Sequence, residues 1–170
     1  MKKWLLCLLA VLMVLPLAAC SADAISASDK AFLSNGLEIT LTSAFSEREP
    51  EAGYTIAFDS TTVCVRGLKE LYSSDPQLEN MTLDKYTEKI YEKNSALTPK
   101  PIDTVDGLPI MEYELHNDQQ NRDYSYFTTM FKGGDCFWLL QFACETKNYE
   151  AYRPYFVKWA KTVTLTSATV

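Results

Sequence analysis

One segment near the C-terminus, residues 135–145 (DCFWLLQFACE), places the strongest constraint on how this chain can fold. Its length and its aromatic and aliphatic content predict a β-strand, in which alternate side chains point to opposite faces of the sheet. One face would carry Cys136, Trp138, Leu140, Phe142 and Cys144. The other would carry Phe137, Leu139 and Ala143, with Gln141 as its polar member. A strand that is apolar on both faces must be covered on both, so we expect a layer packed on each side of the sheet.

Two predicted helices can supply these layers. Thr82 is an N-cap candidate, and an apolar stripe at helical spacing follows it: Leu83, Tyr86, Ile90 and Leu97. The second stripe lies near the C-terminus and consists of Tyr149, Tyr152, Phe156, Trp159, Ala160 and Val163. Asn148 is a candidate cap for that helix, but Pro154 is unfavourable inside it. We therefore expect the regular helix to begin near Arg153, with Pro154 in its first turn.

Short alternating or β-branched segments predict the other strands. They are residues 36–41, 54–59, 62–66, 102–105, 109–116 and 122–132. Asp106-Gly107 and Gly133-Gly134 would form the tight turns of two hairpins. The expected order is three strands, a helix, four strands and a second helix. This order predicts an α+β fold in which an antiparallel sheet of about six to seven strands is covered by two helices.

The first residues, MKKWLLCLLAVLMVLPLAAC, have the composition of an export signal. Two lysines precede an apolar run, residues 4–15, that is too short to cross ~30 Å of hydrocarbon as a helix. The segment Leu17-Ala18-Ala19-Cys20 is similar to the bacterial lipobox. That resemblance implies that residues 1–19 are removed and that Cys20 receives a diacylglyceryl thioether. Two or three acyl chains anchor a protein stably, since each buried methylene contributes about 0.8 kcal/mol.

Two other interpretations of the N-terminus remain open. Ala22-Asp23-Ala24 could be an ordinary cleavage site that releases a soluble secreted protein, or the apolar run could stay as an uncleaved anchor. In the lipoprotein interpretation, residues 20–30 form a flexible tether that lifts the domain off the bilayer. Residues 31–166 then form a single domain.

The order of the predicted elements resembles the PsbP-like fold, an α/β/α sandwich found in PsbP and in several bacterial lipoprotein families. The residues that carry the likeness are 36–41 leading to Phe45, 82–86, the Gly133-Gly134 hairpin with 137–143, and Tyr152, Phe156 and Val163. The resemblance implies a non-catalytic accessory or protein-binding role. It transfers no site residues, because members of the fold bind unrelated partners.

Few side chains suggest chemistry. His116 is the one histidine of the chain, and we expect it on the surface. Glu112 and Glu114 alternate along one strand; such a pair can support glycoside hydrolysis, but the spacing also describes any exposed strand face. Tyr124 and Tyr126 are candidates for a binding surface, since aromatic residues are enriched there, although they also suit packing under a helix. The sequence contains no motif for a metal or a cofactor, and we expect neither.

Five cysteines allow several pairings. Cys7 would leave with the signal and Cys20 would be acylated. Cys136 and Cys144 lie eight residues apart on one strand, roughly 26 Å, and cannot pair with each other. Cys64 could bridge to either of them, or all three could be buried free thiols.

The charge balance narrows the function classes. Sixteen basic against 22 acidic side chains give a formal net charge of −6, which disfavours nucleic acid as a partner. We expect a lipid-anchored, extracytoplasmic accessory or binding domain of the cell envelope, held in the cell membrane by acyl chains on Cys20, without catalysis and with an envelope protein as partner. The alternatives are a carboxylate-dependent envelope hydrolase and a small-solute-binding lipoprotein with a closed apolar pocket.

Overall fold

The computed structural model describes residues 24–166, and it contains two antiparallel sheets and two helices. The strands of the larger sheet are β3 (Ser46–Arg48), β4 (Ile56–Asp59), β5 (Val63–Leu71), β6 (Asp103–Val105), β7 (Leu108–Asn117), β8 (Arg122–Lys132) and β9 (Cys136–Glu145). They lie side by side in the order β3-β4-β5-β9-β8-β7-β6. The helices are α1 (Leu83–Lys93) and α2 (Tyr149–Ala160). The expected α+β class is confirmed.

Strand β9 lies in the middle of the larger sheet, and both of its faces are covered as its sequence predicts. Its even-numbered side chains from Cys136 to Cys144 enter one core with α2, where Phe142 stacks on Phe156 at 5.2 Å between ring centroids. Its odd-numbered side chains enter a second core with α1, where Phe137 stacks on Tyr86 at 4.1 Å. The sheet therefore separates two independent hydrophobic cores.

A smaller sheet shares one side with α2 and was not expected as a separate layer. It consists of β1 (Asp29–Ser34), β2 (Leu37–Thr42) and β10 (Thr164–Leu165), in the order β1-β2-β10. Aromatic contacts join it to the rest of the molecule: Phe32 lies 5.0 Å from Phe58 of β4. Phe45, which follows β2, meets Trp159 of α2 edge-on at 5.3 Å. Residues 36–41 were thus predicted as a strand, but their sheet was not.

The folded part of the chain begins earlier than the boundary at residue 31 that the sequence predicts. Ala24 is fully buried, and its carbonyl accepts a 2.8 Å hydrogen bond from Thr42 Oγ1. The Ser28 carbonyl accepts a 2.7 Å bond from the amide of Ser43, and β1 already begins at Asp29. Residues 24–30 are therefore packed against the domain. The predicted signal, residues 1–19, and Cys20 lie outside the described residues.

The N-terminus of α1 agrees with the sequence prediction, whereas the N-terminus of α2 does not. Thr82 caps α1 as predicted, its Oγ1 accepting from the amide of Lys85. The expected start of α2 near Arg153 is wrong: the helix begins at Tyr149, after a 3₁₀ turn at Thr146–Asn148, and contains Pro154. A proline there removes one hydrogen bond. Burial of the first turn against the core outweighs that loss.

Gly67 of β5 offers a test of how tightly the α2-side core is packed. A Cβ at this position would lie 2.5 Å from Ile56 Cγ1 and 3.3 Å from Trp138 Cζ3. Gly67→Ala should therefore lower the free energy of unfolding by about 1–3 kcal/mol, measured by urea denaturation. In an Ile56→Ala background the same substitution should cost less, because the new methyl group gains space. An equal cost in both backgrounds would contradict this account of the packing.

Candidate functional site

Three polar side chains lie side by side across the central strands on the α1 side of the sheet. The strand register places Arg66 of β5 opposite Gln141 of β9, and Gln141 opposite Thr128 of β8. All three are buried. Burying polar groups is costly unless each one is hydrogen-bonded. We call this set the polar row. Its burial is tolerated only if hydrogen-bonding partners satisfy each of its side chains.

Arg66 has two carboxylate partners. Its Nε and Nη2 donate to the two oxygens of Glu51 at 2.8 and 3.0 Å, a bidentate pair. Its Nη1 donates to Asp59 Oδ1 at 2.5 Å. The three side chains differ in exposure: 4% for Arg66, 16% for Asp59 and 40% for Glu51. One buried guanidinium thus holds a half-buried carboxylate and a more exposed one.

The ion pairs control the protonation of these groups. Burial alone would raise the pKa of Glu51, but the hydrogen bonds and the charge of Arg66 outweigh it and lower that pKa. Burial would likewise lower the pKa of Arg66, and the bonds to Asp59 and Glu51 raise it instead. Arg66 and Glu51 are therefore both charged at neutral pH.

Gln141 connects the polar row to a group of tyrosines. Its Nε2 donates to Tyr113 Oη at 2.6 Å and to Thr128 Oγ1 at 3.4 Å. Its Oε1 accepts a long bond of 3.5 Å from Tyr54 Oη, and burial raises the pKa of Tyr54 to about 12. Tyr113 stacks on Tyr126 with 4.7 Å between ring centroids. The stacked rings of Tyr113 and Tyr126 therefore lie next to the polar row.

Residues 49–54 form a turn over this row, and we call this turn the strap. Its own backbone closes through the amide of Tyr54, which donates to the Glu51 carbonyl at 3.0 Å, and Gly53 adopts a φ of 98° that favours glycine. The strap reaches the row through the Glu51 carboxylate and the Tyr54 hydroxyl. The strap therefore contacts two members of the row, Arg66 and Gln141.

The two tyrosines predicted as binding candidates belong to this region, but they are packed. Tyr124 and Tyr126 are 2% and 6% exposed. Tyr126 adjoins the row through its stacking on Tyr113, whereas the Tyr124 hydroxyl donates to Gln120 Oε1. A binding role for either of them stays a prediction.

The predicted carboxylate pair has structural contacts. Glu112 Oε1 accepts hydrogen bonds from Tyr149 Oη at 2.5 Å and from Arg153 Nε at 2.6 Å, and so ties α2 to β7. Glu114 is exposed and accepts a 3.4 Å bond from Ser125. His116 is exposed as expected, with its Nδ1 2.7 Å from Asp123 Oδ1. None of these contacts of Glu112, Glu114 and His116 involves the polar row.

The three remaining cysteines are buried free thiols. Because Cys64 lies opposite Ala143 in the β5–β9 ladder, it points to the α1 side, whereas Cys136 and Cys144 point to the α2 side. The sheet therefore stands between Cys64 and both candidate partners. Burial raises the pKa of Cys144 to about 12 and that of Cys136 to about 11, so both thiols stay protonated at neutral pH.

The surface offers an open cleft. It has a volume of about 460 Å³ and lies at one end of the larger sheet, between the Gly107 and Gly133-Gly134 turns, with Leu83 of α1 and Leu165 of β10 among its lining. The solute-binding alternative calls for a closed apolar pocket, and this cleft is open to solvent. Within residues 24–166, no three metal-ligating side chains cluster together and no helix is long and apolar enough to cross a membrane.

No protein-family model matches this chain, and no curated protein is significantly similar to it. Solved structures are similar to it in fold. A protein from Bacteroides thetaiotaomicron VPI-5482 has 14% identity and a TM-score of 0.55 over 83% of this chain. The chain spans half the length of that protein. This likeness shows a shared fold and nothing about activity.

Two looser similarities have TM-scores of 0.47. Cyanobacterial PsbP (CyanoP) from Synechocystis sp. PCC 6803 has 15% identity over 88% of this chain and 99% of its own. LpqN, involved in cell envelope biogenesis of Mycobacterium tuberculosis, has 7% identity over 82% of this chain and 91% of its own. TM-scores this low carry no argument about fold or function.

The pKa of Glu51 gives a test of the strap. Because that pKa is lower in the folded protein than the ordinary value of 4.5, the stabilisation is fully present above about pH 4.5 and is lost as the pH falls through the folded pKa. At neutral pH, Glu51→Gln should lower the free energy of unfolding by about 1 kcal/mol, a modest value because Glu51 is partly exposed to water.

Urea denaturation from pH 7 to pH 3 measures this difference between wild type and Glu51→Gln. The gap should stay constant down to about pH 5 and then narrow. Glu49→Gln, which removes the same charge from an exposed position in the same turn, should show little difference at any pH. A gap for Glu51→Gln that persists unchanged at pH 3 would contradict the ion pair.

Proposed function

We propose that this chain is a lipid-anchored, extracytoplasmic binding domain of the cell envelope that holds a protein partner at the membrane and catalyses no reaction. The observation that supports this proposal best is the short distance along the chain between the predicted lipid attachment residue and the first buried residue. Cys20, in a segment similar to the lipobox, precedes the fully buried Ala24 by four residues. The lipid attachment point would therefore adjoin the folded domain.

The short link would fix where the domain lies. Four residues extend at most about 14 Å, so acyl chains on Cys20 would hold the surface around Ala24 close to the lipid headgroups. That surface includes Ser28 and Ser43, whose hydroxyls lie 3.2 Å apart. The sequence predicted a tether that lifts the domain away, and the packing of residues 24–30 favours the opposite arrangement.

Charge and side-chain contacts support a non-catalytic, lipid-dependent role. The net negative charge of the chain disfavours electrostatic binding to an anionic bilayer, so the lipid would supply the attachment. Glu112, one of the two candidates for carboxylate chemistry, accepts hydrogen bonds from Tyr149 and Arg153 and so links α2 to the sheet. Those contacts suit a scaffold residue better than a general acid or base.

Substitution of the predicted attachment residue tests the anchor. Cys20→Ala should leave unprocessed precursor and abolish metabolic labelling with palmitate, because the thiol is the group that would receive the lipid. Cys7→Ala, within the predicted signal, should be processed and labelled like the wild type. Normal processing or labelling of the Cys20→Ala protein would show that the lipoprotein interpretation is wrong.

A spacer insertion tests how close the domain lies to the bilayer. A dye on Ser28→Cys, an exposed position on a protein whose other described thiols are buried, should transfer energy efficiently to an acceptor in the lipid headgroups. About ten Gly/Ser residues inserted after Ser21 should weaken the transfer, since such a linker adds roughly 17 Å. Equal transfer with and without the spacer would contradict a short link.

A further inference from the structure

We propose that the polar row contains a carboxylate-binding site on Arg66, and that the Glu51 carboxylate of the strap occupies it until a carboxylate of the partner takes its place. This inference deepens the proposed binding function and depends on it only for the source of the ligand. Three features of the structure support it: a fixed guanidinium, a displaceable internal carboxylate, and a wall of hydrogen-bonding and aromatic groups beneath the strap.

The guanidinium of Arg66 is held in place without Glu51. Its Nη1 donates to Asp59 Oδ1 at 2.5 Å and to the Val65 carbonyl at 3.0 Å. Asp59 lies on β4, and Val65 lies on β5, the strand that carries Arg66 itself. The edge formed by Nε and Nη2 is the one that faces Glu51. A planar fork of this kind binds any carboxylate in two parallel hydrogen bonds.

Glu51 is the exchangeable member of the pair. Its side chain is 40% exposed, whereas that of Arg66 is 4% exposed. If the strap moves as a unit, it keeps its own backbone hydrogen bond from the Tyr54 amide to the Glu51 carbonyl. Besides the Glu51 carboxylate, its side-chain contact with the row is the long 3.5 Å bond from Tyr54 Oη to Gln141 Oε1. Replacing one carboxylate by another conserves the charge and the hydrogen bonds of Arg66, so the exchange costs little.

The groups beneath the strap suit a peptide carboxylate. When Tyr54 moves, the amide oxygen of Gln141 is available as a hydrogen-bond acceptor, and the stacked rings of Tyr113 and Tyr126 stand beside it. Arg66 and Asp59 together carry no net charge, so one monoanion gives the site the same charge that it has with Glu51. A phosphate dianion would add a second, poorly compensated negative charge in a buried place.

The test measures binding of acetate to the full chain in detergent. Glu51→Ala should bind acetate saturably, seen as a rise in melting temperature and as a shift of the Arg66 Nε–H resonance in NMR spectra. Its apparent affinity should exceed that of the wild type by about tenfold or more, if Glu51 fills the site at least nine-tenths of the time. At about pH 8, where inorganic phosphate is mainly the dianion, neither phosphate nor acetamide, the neutral analogue, should produce these changes.

Two variants control for indirect effects. Glu49→Ala removes the same charge from the same strap and should bind acetate as weakly as the wild type. Glu51→Ala/Arg66→Lys keeps the positive charge but loses the planar fork, and should lose the acetate binding. If Glu51→Ala does not fold, Glu51→Gln keeps the volume of the side chain, and acetate should raise its melting temperature. Folded variants that show no acetate effect, or an effect that survives Arg66→Lys, would overturn the proposal.

A second arm identifies the source of the carboxylate. N-acetyl-alanine carries a chain-terminal carboxylate, and N-acetyl-aspartyl amide carries a side-chain one. Tighter binding of the first indicates a partner's C-terminus, tighter binding of the second an acidic side chain, and equal binding a site that reads the carboxylate alone. Failure of both would overturn the site. Palmitate labelling of the same variants is independent of this result, so the anchor and the site can fail separately.

Discussion

The fold depends on one constraint, which is that the central strand β9 must be buried on both faces. Its even-numbered side chains pack with α2 and its odd-numbered ones with α1, so neither face of the sheet at β9 can be exposed to solvent. Each side of β9 therefore has a core of its own, with Phe142 on Phe156 in one and Phe137 on Tyr86 in the other. Gln141, in the polar row, is the polar member of these two faces; it is buried as well, and its hydrogen bonds compensate for that burial.

Local patterns predicted most of the larger sheet, and long-range packing decided the rest. The Asp106-Gly107 hairpin, the long strand at residues 122–132 and the Thr82 cap are set by neighbouring residues, and the structure confirms them. The three-stranded sheet joins residues near both ends of the described chain, and the start of α2 before Pro154 depends on burial against the core. Neither is visible in a short window of sequence.

Most of the candidate site could not be predicted from the sequence, because it too depends on contacts between distant parts of the chain. Gln141 was visible as the polar member of an apolar strand face, but its neighbours Arg66 and Thr128 follow from the strand register. The strap falls mostly between the predicted strands 36–41 and 54–59, where nothing distinguishes Glu51 from the other acidic residues. Tyr126 was singled out and does adjoin the row, although packing and not exposure explains it.

The two proposals concern different parts of the chain: a lipid on Cys20 would keep the domain at the membrane, and a partner's carboxylate would enter the site on Arg66. A photo-reactive amino acid at the exposed strap residue Ala52, introduced into the protein in its own cells, tests both together. The account predicts one dominant crosslinked protein, which is lost with Arg66→Lys or Cys20→Ala and is not captured from exposed Ala151 of α2. Capture that is equal at both positions, or unchanged by Arg66→Lys, would contradict it.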